Sequence, residues 1–511
     1  MNGKSNATED LLMKFKHSVK RIATIIGCTY GPMGRNIAFR NVEGHLGITQ
    51  CGFTALKQIR FSDTFERQPL SILQELCLTQ HKMLGDGVTL SVILADTILS
   101  ETVKVIISQG VDPIKLTEGI ERAMQIVDKI LLQNSRNLNN HTIHSISRTA
   151  SKDQVLGDLI AILFKNTGLS YIEITAKINS KDEADTKNVI LIPYDDITVN
   201  HAESRLLIWE EPILFPNEIK PLLEESTKDS STLCIIAPVT STDVKRYVDK
   251  IKMTLGISCI LIDPPSDIPF TLWIRDIAIL TGAKILSTVG GFALQDVTIF
   301  ALIRIYNVNS SNGFLKFDFN RNKEIATIDE KIKKLQKIAA ASVNDIDKKI
   351  IEARIKLLHA KIGYLNLSGH SQLELEERKR SANSAIHSVQ AALQTGILPG
   401  GGIAFLHCIT TLIADLDNTS NKWDKAGIEI MKQAMETPFR QLCKNAGYEA
   451  DILIEKIKKN SNIGFTITNF TNVNTEDMEA FDSVTVLRES LHNAVKLTKT
   501  LIKTAHVVSF R

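Results

Sequence analysis

The stretch Leu-Gly-Asp-Gly-Val-Thr at residues 84–89 has the residue types of a phosphate-binding turn. It precedes an apolar run that continues to about Leu99, which predicts a tight turn leading into the N-terminus of a buried helix. Glycine lets the backbone approach a ligand, and the unpaired N–H groups at a helix start suit phosphate. Asp86 could supply an oxygen ligand for Mg²⁺, and Thr89 a hydroxyl near the phosphates. Gly-Asp-Gly is also a common surface turn, so both interpretations stay open on the motif alone.

The composition is that of a globular protein with several domains. The chain has 511 residues, a hydrophobic fraction of 43% and a net charge of +3, and a chain of this length holds roughly three or four domains. Balanced charge and few aromatic residues argue against a nucleic-acid partner. We expect no membrane span, because no apolar stretch approaches ~18 residues, and no signal peptide, because residues 1–10 are polar. The expected location is the cytoplasm. The seven scattered cysteines lack C-x-x-C pairs and are interpreted as reduced core residues.

Predicted elements divide the chain into two helical ends and a mixed centre. An amphipathic helix up to about Gly27 is followed by a glycine-rich loop at 29–36. In the centre, buried-strand runs at 233–237 and 257–262 flank a helix at 241–255, which predicts a β-α-β arrangement. A helix at 374–395 precedes a second glycine-rich loop at 399–402. The two ends should therefore pack together and bring Asp86 and residues 400–402 to one pocket.

Three further segments complete this prediction. Between residues 134 and 185 we predict one helix, at 153–165, and interpret residues 178–187 as a boundary or a hairpin. Residues 325–362 are charged and helical, and we predict two helices with a break near residues 342–345. Helices are also predicted at 426–445, 450–458 and 484–504.

Four stretches together resemble the type I chaperonins, the GroEL family. They are Tyr-Gly-Pro-Met-Gly-Arg-Asn at 30–36, Gly-Asp-Gly-Val-Thr at 85–89, Ala-Ile-Leu-Thr-Gly at 278–282 and Gly-Ile-Leu-Pro-Gly-Gly-Gly-Ile-Ala at 396–404. Their order and spacing match together over nearly the whole chain. The resemblance implies an α+β multidomain fold, a GroEL-like three-domain chaperonin subunit. Its domains would be a helical equatorial domain at 1–132 and 395–511, a small intermediate domain at 133–188 and 362–394, and an α/β apical domain at 189–361.

The resemblance also implies cofactors and partners. Members of the family form seven-membered rings, bind ATP in the equatorial domain and capture unfolded chains on the apical rim. We therefore expect ATP and Mg²⁺ as cofactors, and a role in protein folding. The expected assembly is a homo-oligomeric ring, or a ring mixed with a standard chaperonin, with unfolded proteins as clients. Whether a co-chaperonin binds stays open.

Carried over by the resemblance, the nucleotide pocket draws on both ends of the chain. Asp86 matches the magnesium ligand of the family. The family prefers threonine at positions 88 and 90, where this chain has Val88 and Leu90. The expected nucleotide-binding residues are Thr29, Tyr30, Gly31, Pro32, Gln50, Gly87, Val88, Thr89, Leu90, Thr149, Gly401, Thr466 and Asp482.

The two catalytic carboxylate positions of the family carry other residues here. They are occupied by Cys51 and Ser384. A thiol or a hydroxyl cannot hold a water molecule as a carboxylate does, and the loss of a positioned base typically costs ~10²–10⁴ in rate. We therefore expect ATP hydrolysis to be weak or lost. Two alternatives remain open: the alignment slips and a nearby carboxylate acts, or His387 substitutes.

The apical rim also departs from the family. The positions carried over for client binding are Leu222, Leu223, Val248 and Ile251. Lys220 stands where the family has an apolar contact, and the helix at 245–252 is rich in charge. Denatured chains bind exposed apolar area, so a charged rim predicts poor capture or one specific partner, whereas a merely solvated face is an equally open interpretation.

Three hypotheses follow. The first is a working ATP-dependent folding machine. The second is a paralogue that keeps the fold, without hydrolysis, and acts as a holdase or interaction protein. The third, an unrelated nucleotide enzyme, is disfavoured because no other catalytic cluster is evident.

Overall fold

The computed structural model describes residues 2–506 except 41–43, 45, 168–171, 195–198, 229–230, 257, 312–313, 319–324, 343, 360, 419–420, 461–462, 466–470, 476–477 and 479. Its α-helices are, in chain order, α1 (Asn2–Gly27), α2 (Gly52–Gln58), α3 (Thr64–Leu84), α4 (Val88–Gln109), α5 (Pro113–Gln133), α6 (Asn140–Ser151), α7 (Gln154–Thr167), α8 (Pro216–Lys228), α9 (Thr242–Leu255), α10 (Phe270–Thr281), α11 (Ile325–Ala341), α12 (Asp345–His359), α13 (Gln372–Thr395), α14 (Ile403–Asn418), α15 (Lys422–Ala446), α16 (Ala450–Lys459) and α17 (Val484–Ile502).

The strands are β1 (Ile37–Arg40), β2 (Leu46–Thr49), β3 (Ile172–Ile178), β4 (Glu183–Pro193), β5 (Asn200–Trp209), β6 (Thr232–Ile236), β7 (Cys259–Ile262), β8 (Ile285–Leu286), β9 (Ile303–Ser311), β10 (Phe314–Asp318), β11 (Lys361–Gly369), β12 (Ile397–Pro399), β13 (Ile463–Phe465), β14 (Asn472–Asn474) and β15 (Phe481–Ser483). Two compact units emerge. The first comprises Met1–Lys165, Ile174–Ala184 and Leu365–Arg511, and the second Asn166–Glu173 and Asp185–Tyr364.

The first unit is organised around α4. This helix is apolar on nearly all sides, with Val92, Leu94 and Leu99 fully buried, because it packs against α1, α15 and α17. Each such side chain contributes roughly 1.5–3 kcal/mol through burial. The elements that enclose α4 come from both ends of the chain, which confirms that the two helical ends pack together. The separation of this unit into equatorial and intermediate domains stays a prediction.

Helix α5 shows how closely the helices approach one another. Its start is set by the Asp112 carboxylate, which accepts a hydrogen bond of 2.8 Å from the Ile114 N–H, and by Pro113 in the first turn. Gly119 of α5 lies against Gly427 of α15, where an added Cβ on either residue would collide with the backbone of the other helix. The absence of side chains at this crossing therefore sets the helix separation.

Two sequence predictions for residues 134–187 need correction. The structure has two helices there rather than one, because α6 precedes α7. The sequence of α6 is polar and its buried residues are mostly Ser and Thr, so no apolar periodicity marks this helix, although Asn139 and Thr142 form a capping box that signals its start. Residues 178–187 are not a hairpin, because β11 lies between β3 and β4 in the sheet. The alternative interpretation is correct, since the boundary after Ala184 falls there.

The second unit is a mixed sheet covered by helices. Its strands lie in the order β4-β10-β9-β5-β6-β7, and β8 pairs with β5. Strands β5, β6 and β7 are parallel, so the predicted β-α-β arrangement of β6, α9 and β7 is confirmed. Helices α8 and α9 contribute to one apolar cluster, and α10, α11 and α12 to another. The predicted break between two charged helices is confirmed by α11 and α12.

A buried ion cluster joins the helices of the second unit. Asp276 of α10 is fully buried, and its carboxylate accepts hydrogen bonds of 2.7 and 3.1 Å from Arg354 of α12. Lys331 of α11 lies 2.8 Å from the same carboxylate. Removing one partner of such a cluster is costly, because it leaves an uncompensated buried charge.

No helix within the described part of the chain is long and apolar enough to cross a bilayer. Five of the seven cysteines are buried, as predicted, whereas Cys28 and Cys51 are only half-buried and do not belong to the core.

Candidate nucleotide-binding site

The turn between α3 and α4 has the predicted geometry. Gly85 has φ +70° and Gly87 φ +86°, in the left-handed region that favours glycine. The Asp86 carboxylate accepts a hydrogen bond of 2.6 Å from the Gly87 N–H. A Cβ on Gly87 would lie 2.6 Å from the Ser490 hydroxyl and 2.9 Å from Val486. Only glycine therefore lets α4 begin at this point.

A buried glutamine holds this turn in place. Gln80 of α3 donates hydrogen bonds of 3.1 Å to the Asp86 carbonyl and 2.9 Å to the Ser490 hydroxyl. It also accepts hydrogen bonds of 2.7 Å from Ser91 and 2.8 Å from Asn493. Gln80 thus connects the turn to α4 and α17. Gln80 is not among the predicted site residues, because a single polar residue in a helix carries no signal of burial.

A cavity of about 380 Å³ opens beside the turn in the first unit. It contains the predicted metal ligand Asp86 together with both family positions that lack a carboxylate, Cys51 and Ser384. Residues that line it are Asn36, Ile48, Thr49, Gln50, Cys51, Gly52, Phe53, His81, Gly85, Asp86, Val88, Thr89, Ala150, Ser151, Lys152, Asp153, Glu377, Arg380, Ser381 and Ser384.

Lys152 places a positive charge in this cavity. Its backbone has φ +57° at the end of α6, and its ammonium donates hydrogen bonds of 3.2 Å to the carbonyls of Thr29 and Gln50. Although much of the side chain is exposed, crowding by protein atoms lowers the pKa of the ammonium, and the negative charge of Asp86 opposes that shift. Two bonds use two of its three donors, so a third is left for an anion.

Thr29 and Asp482 lie close to the turn from opposite ends of the chain. The hydroxyls of Thr29 and Thr89 are 3.5 Å apart. Asp482 is on β15, which pairs with β12, and its carboxylate accepts a hydrogen bond from the Gly401 backbone. Desolvation and the charge of Asp86 raise the pKa of Asp482 to about 7. Desolvation and the charges of Asp482 and Asp86 also raise the pKa of Tyr30.

Ser384 and Cys51 do not act as carboxylate substitutes in this geometry. The Ser384 hydroxyl of α13 donates a 2.9 Å hydrogen bond to the Gly85 carbonyl, so it supports the turn. Cys51 precedes α2, and its side chain makes no capping hydrogen bond. His387 lies beside Gly85 with its Nδ1 buried and without a hydrogen-bond partner in the described structure. Desolvation lowers its pKa.

The other predicted nucleotide residues differ in their surroundings. Gly31 has φ +78° and an added Cβ would collide with Leu442, whereas Pro32 is exposed. Leu90 is buried in α4, and Thr149 is exposed on α6 next to the cavity-lining Ala150. Thr466 lies outside the described residues.

The predicted client-binding residues of the second unit face inward. Leu222, Leu223 and Val248 are buried in the apolar cluster of α8 and α9, and Ile251 is half-buried against it. Charged residues occupy several exposed positions of these helices, with Lys220 3.8 Å from Glu224 on α8, whereas Met253 of α9 is an apolar side chain that is 89% exposed. The assignment of these four residues to client binding stays a prediction.

The cavity residues suit a nucleotide and a magnesium ion. The start of α4 offers unpaired N–H groups, Lys152 a positive charge and Asp86 a carboxylate. Among the described residues, no three His, Cys, Asp or Glu side chains are grouped to hold a metal. Mg²⁺ commonly binds one or two carboxylates plus substrate phosphates, so Asp86 would hold it jointly with a nucleotide.

The helical first unit with its glycine turn, and the α/β second unit, are the parts of a chaperonin subunit. The model of the TCP-1/cpn60 chaperonin family matches residues 22–159 and 272–511, and the chain belongs to this family. Two crystal structures of the chaperonin gp146 from the bacteriophage EL 2 (Pseudomonas aeruginosa), both in the presence of ATP-BeFx, are similar to it. Each match covers 97% of this chain and 97% of the gp146 chain at 16% sequence identity, and the TM-scores are 0.71 and 0.68. The GroEL-like multidomain α+β fold is thereby confirmed.

Proposed function

We propose that this chaperonin binds ATP in the cavity beside residues 85–89. The observation that carries the proposal is the convergence of the glycine turn, the α4 N-terminus and the Lys152 ammonium on one cavity. These groups supply N–H donors and a positive charge, which suit the phosphates. The structures of gp146, obtained in the presence of an ATP analogue, agree with a nucleotide site in this fold.

Mg²⁺ is proposed as the cofactor, held by Asp86. When bound, the ion neutralises phosphate charge. The protein itself orients Asp86, because the Gly87 N–H donates to its carboxylate and the Gln80 amide donates to its backbone carbonyl. Asp482 and Gly401 are proposed to complete the nucleotide site, because the charge of Asp86 acts on Asp482 and the Gly401 backbone donates to its carboxylate, although neither residue lines the cavity of about 380 Å³.

Hydrolysis is proposed to be slow. Neither Cys51 nor Ser384 carries a carboxylate, and the Ser384 hydroxyl is engaged with the Gly85 carbonyl. Loss of a positioned base typically costs ~10²–10⁴ in rate. Nucleotide binding therefore survives better than turnover in this site.

We propose a role in protein folding, through a cytoplasmic ring of identical subunits or one mixed with a standard chaperonin. An alternative, supported by the charged outer faces of α8 and α9, is a holdase or interaction paralogue with one specific partner. Arg246 of α9 is exposed and lies 3.8 Å from Asp243, and Lys245 lies 2.9 Å from Asp263. Charged surface favours a complementary partner over general capture of apolar chains.

Three measurements on the full chain test the proposal. Calorimetric titration with ATP and Mg²⁺ should give one site per chain, and Asp86→Asn should weaken it. Steady-state turnover should be far below that of an ATPase with intact carboxylates. Light scattering after size exclusion should give a ring-sized mass. Absence of nucleotide binding in folded protein would reject the proposal, and rapid turnover would reject its claim of slow hydrolysis.

A further inference from the structure

Three carboxylates line the cavity beside the glycine turn, and only one lacks an assigned role. Asp86 is the proposed metal ligand. Asp153 caps α7, accepting a 3.1 Å hydrogen bond from the Leu156 N–H, and lies 3.5 Å from Arg378. Glu377 of α13, two helical turns before Ser384, is the third. Neither composition nor a motif singles it out.

The surroundings of Glu377 hold its carboxylate in one orientation. Its Oε2 is buried 3.2 Å from the Arg380 guanidinium, which in turn donates a 3.1 Å hydrogen bond to the Thr54 hydroxyl. Its Oε1 accepts a 3.3 Å hydrogen bond from Thr49. The side chain is 31% exposed, so water reaches it, and Oε1 has a second lone pair for that water.

Glu377 also lies beside the position that lacks a carboxylate near α2. The Thr49 hydroxyl that donates to Glu377 accepts a 3.0 Å hydrogen bond from the Cys51 N–H. Glu377 and Asp86 both act electrostatically on Lys152, so the three charges share one side of the cavity. A carboxylate at Glu377 is therefore two hydrogen bonds from the backbone of Cys51.

The other candidate bases that line the cavity are less suited. The His81 ring stacks on Phe53 with centroids 4.1 Å apart, and its Nδ1 is buried. Its other contact is with the Gly85 backbone. The Ser384 hydroxyl is a donor to Gly85, and Cys51 offers only an S–H group, which is a weak hydrogen-bond acceptor.

We propose that Glu377 is the general base for the slow ATP hydrolysis of this protein, an inference that rests on the proposed nucleotide site. The Glu377 carboxylate accepts a proton from a water molecule while the water oxygen bonds to the γ-phosphorus. The bond from the γ-phosphorus to the oxygen bridging to the β-phosphate breaks, and its electron pair stays with ADP. The proton then leaves Glu377 for solvent, so the products are ADP, inorganic phosphate and one proton. Arg380 is a positioning residue that orients the carboxylate.

The test compares three variants of the full chain with the wild type in single-turnover hydrolysis, alongside calorimetric binding of ATP. Glu377→Gln should lower the rate about 100-fold or more and leave the ATP affinity nearly unchanged, as expected for loss of a general base. Glu377→Asp, which keeps the carboxylate on a shorter side chain, should have a rate between those of the wild type and Glu377→Gln. Glu376→Gln is the matched control, because Glu376 is exposed on the same helix and outside the cavity. It should behave as the wild type.

A rescue experiment separates catalysis from structure. In the Glu377→Gln background, Cys51→Asp should restore part of the rate, because it places a carboxylate beside Thr49. An unchanged rate in Glu377→Gln, or a wild type that binds ATP without hydrolysing it, overturns the inference and leaves the proposed site intact. A folded wild type that binds no ATP rejects the proposed function itself. If Glu377→Gln does not fold, equal rates for Glu377→Asp and the wild type overturn the inference.

Discussion

Replacing Lys152 by methionine should weaken nucleotide binding without unfolding the protein. The ammonium donates to the carbonyls of Thr29 and Gln50, and Lys152, which lines the cavity, has a third donor left for a ligand. A hydrogen bond to a charged group contributes about 1.5–3 kcal/mol. Because much of the Lys152 side chain is exposed, we assign its contribution to the binding free energy the lower part of this range, about 1.5–2 kcal/mol, which corresponds to a roughly 10- to 30-fold rise in Kd.

Stability should fall by about 1–3 kcal/mol, because Thr29 is buried and its carbonyl loses the hydrogen bond from Lys152, so affinities are compared in protein that is shown to be folded. The assay is calorimetric titration with a non-hydrolysable ATP analogue, with Lys379→Met, an exposed lysine of α13 outside the cavity, as the control. Lys152→Arg should retain most of the affinity. Affinity should also fall as pH rises through the lowered pKa of Lys152, since only the ammonium attracts phosphate. An unchanged Kd in folded Lys152→Met would refute the assignment.

Three further outcomes follow from the contacts described above. Gly87→Ala should lower the free energy of unfolding, measured with denaturant, by about 2–5 kcal/mol, because alanine is strained at this left-handed φ and its Cβ would collide with Ser490. In the control Gly110→Ala the Cβ would meet open space, so only the backbone strain of about 1–2 kcal/mol should be lost. The pKa of Asp482 is about 7 in the folded protein, against 3.8 for the unfolded chain, so its contribution to the free energy of unfolding is present below pH 4 and is lost as pH rises through 7. Asp482→Asn should flatten this part of a stability–pH curve. An unaltered curve would argue against the raised pKa. Asp276→Ala should destabilise the second unit by about 3–5 kcal/mol, whereas Glu203→Ala, which removes an exposed ion pair with Arg304, should cost about 1 kcal/mol or less.

The glycine turn could be predicted from sequence because its chemistry is local. Positive φ at residues 85 and 87 requires glycine, and an apolar run directly after them marks a buried helix. Strands β6 and β7 and helix α9 of the second unit were predictable for the same reason, since β6 and β7 are short apolar runs around an amphipathic α9.

The remaining site residues depend on contacts between distant segments. Gln80, Lys152 and Glu377 are ordinary polar residues of α3, α6 and α13, and only the packing of those helices brings them to one turn and one cavity. Helix α6 itself was missed, because capping by Asn139 rather than an apolar face marks its start. Sequence periodicity contains no information about such tertiary contacts.

The most direct test of the nucleotide site is amide hydrogen exchange of the full chain with and without an ATP analogue and Mg²⁺. Bound phosphates should accept hydrogen bonds from the first N–H groups of α4, so the amides of Val88, Thr89 and Leu90 should become strongly protected. Protection should vanish in Asp86→Asn at the same analogue concentration if the ion held there is required. Exchange at these three amides that is unaffected by a saturating analogue would contradict the account.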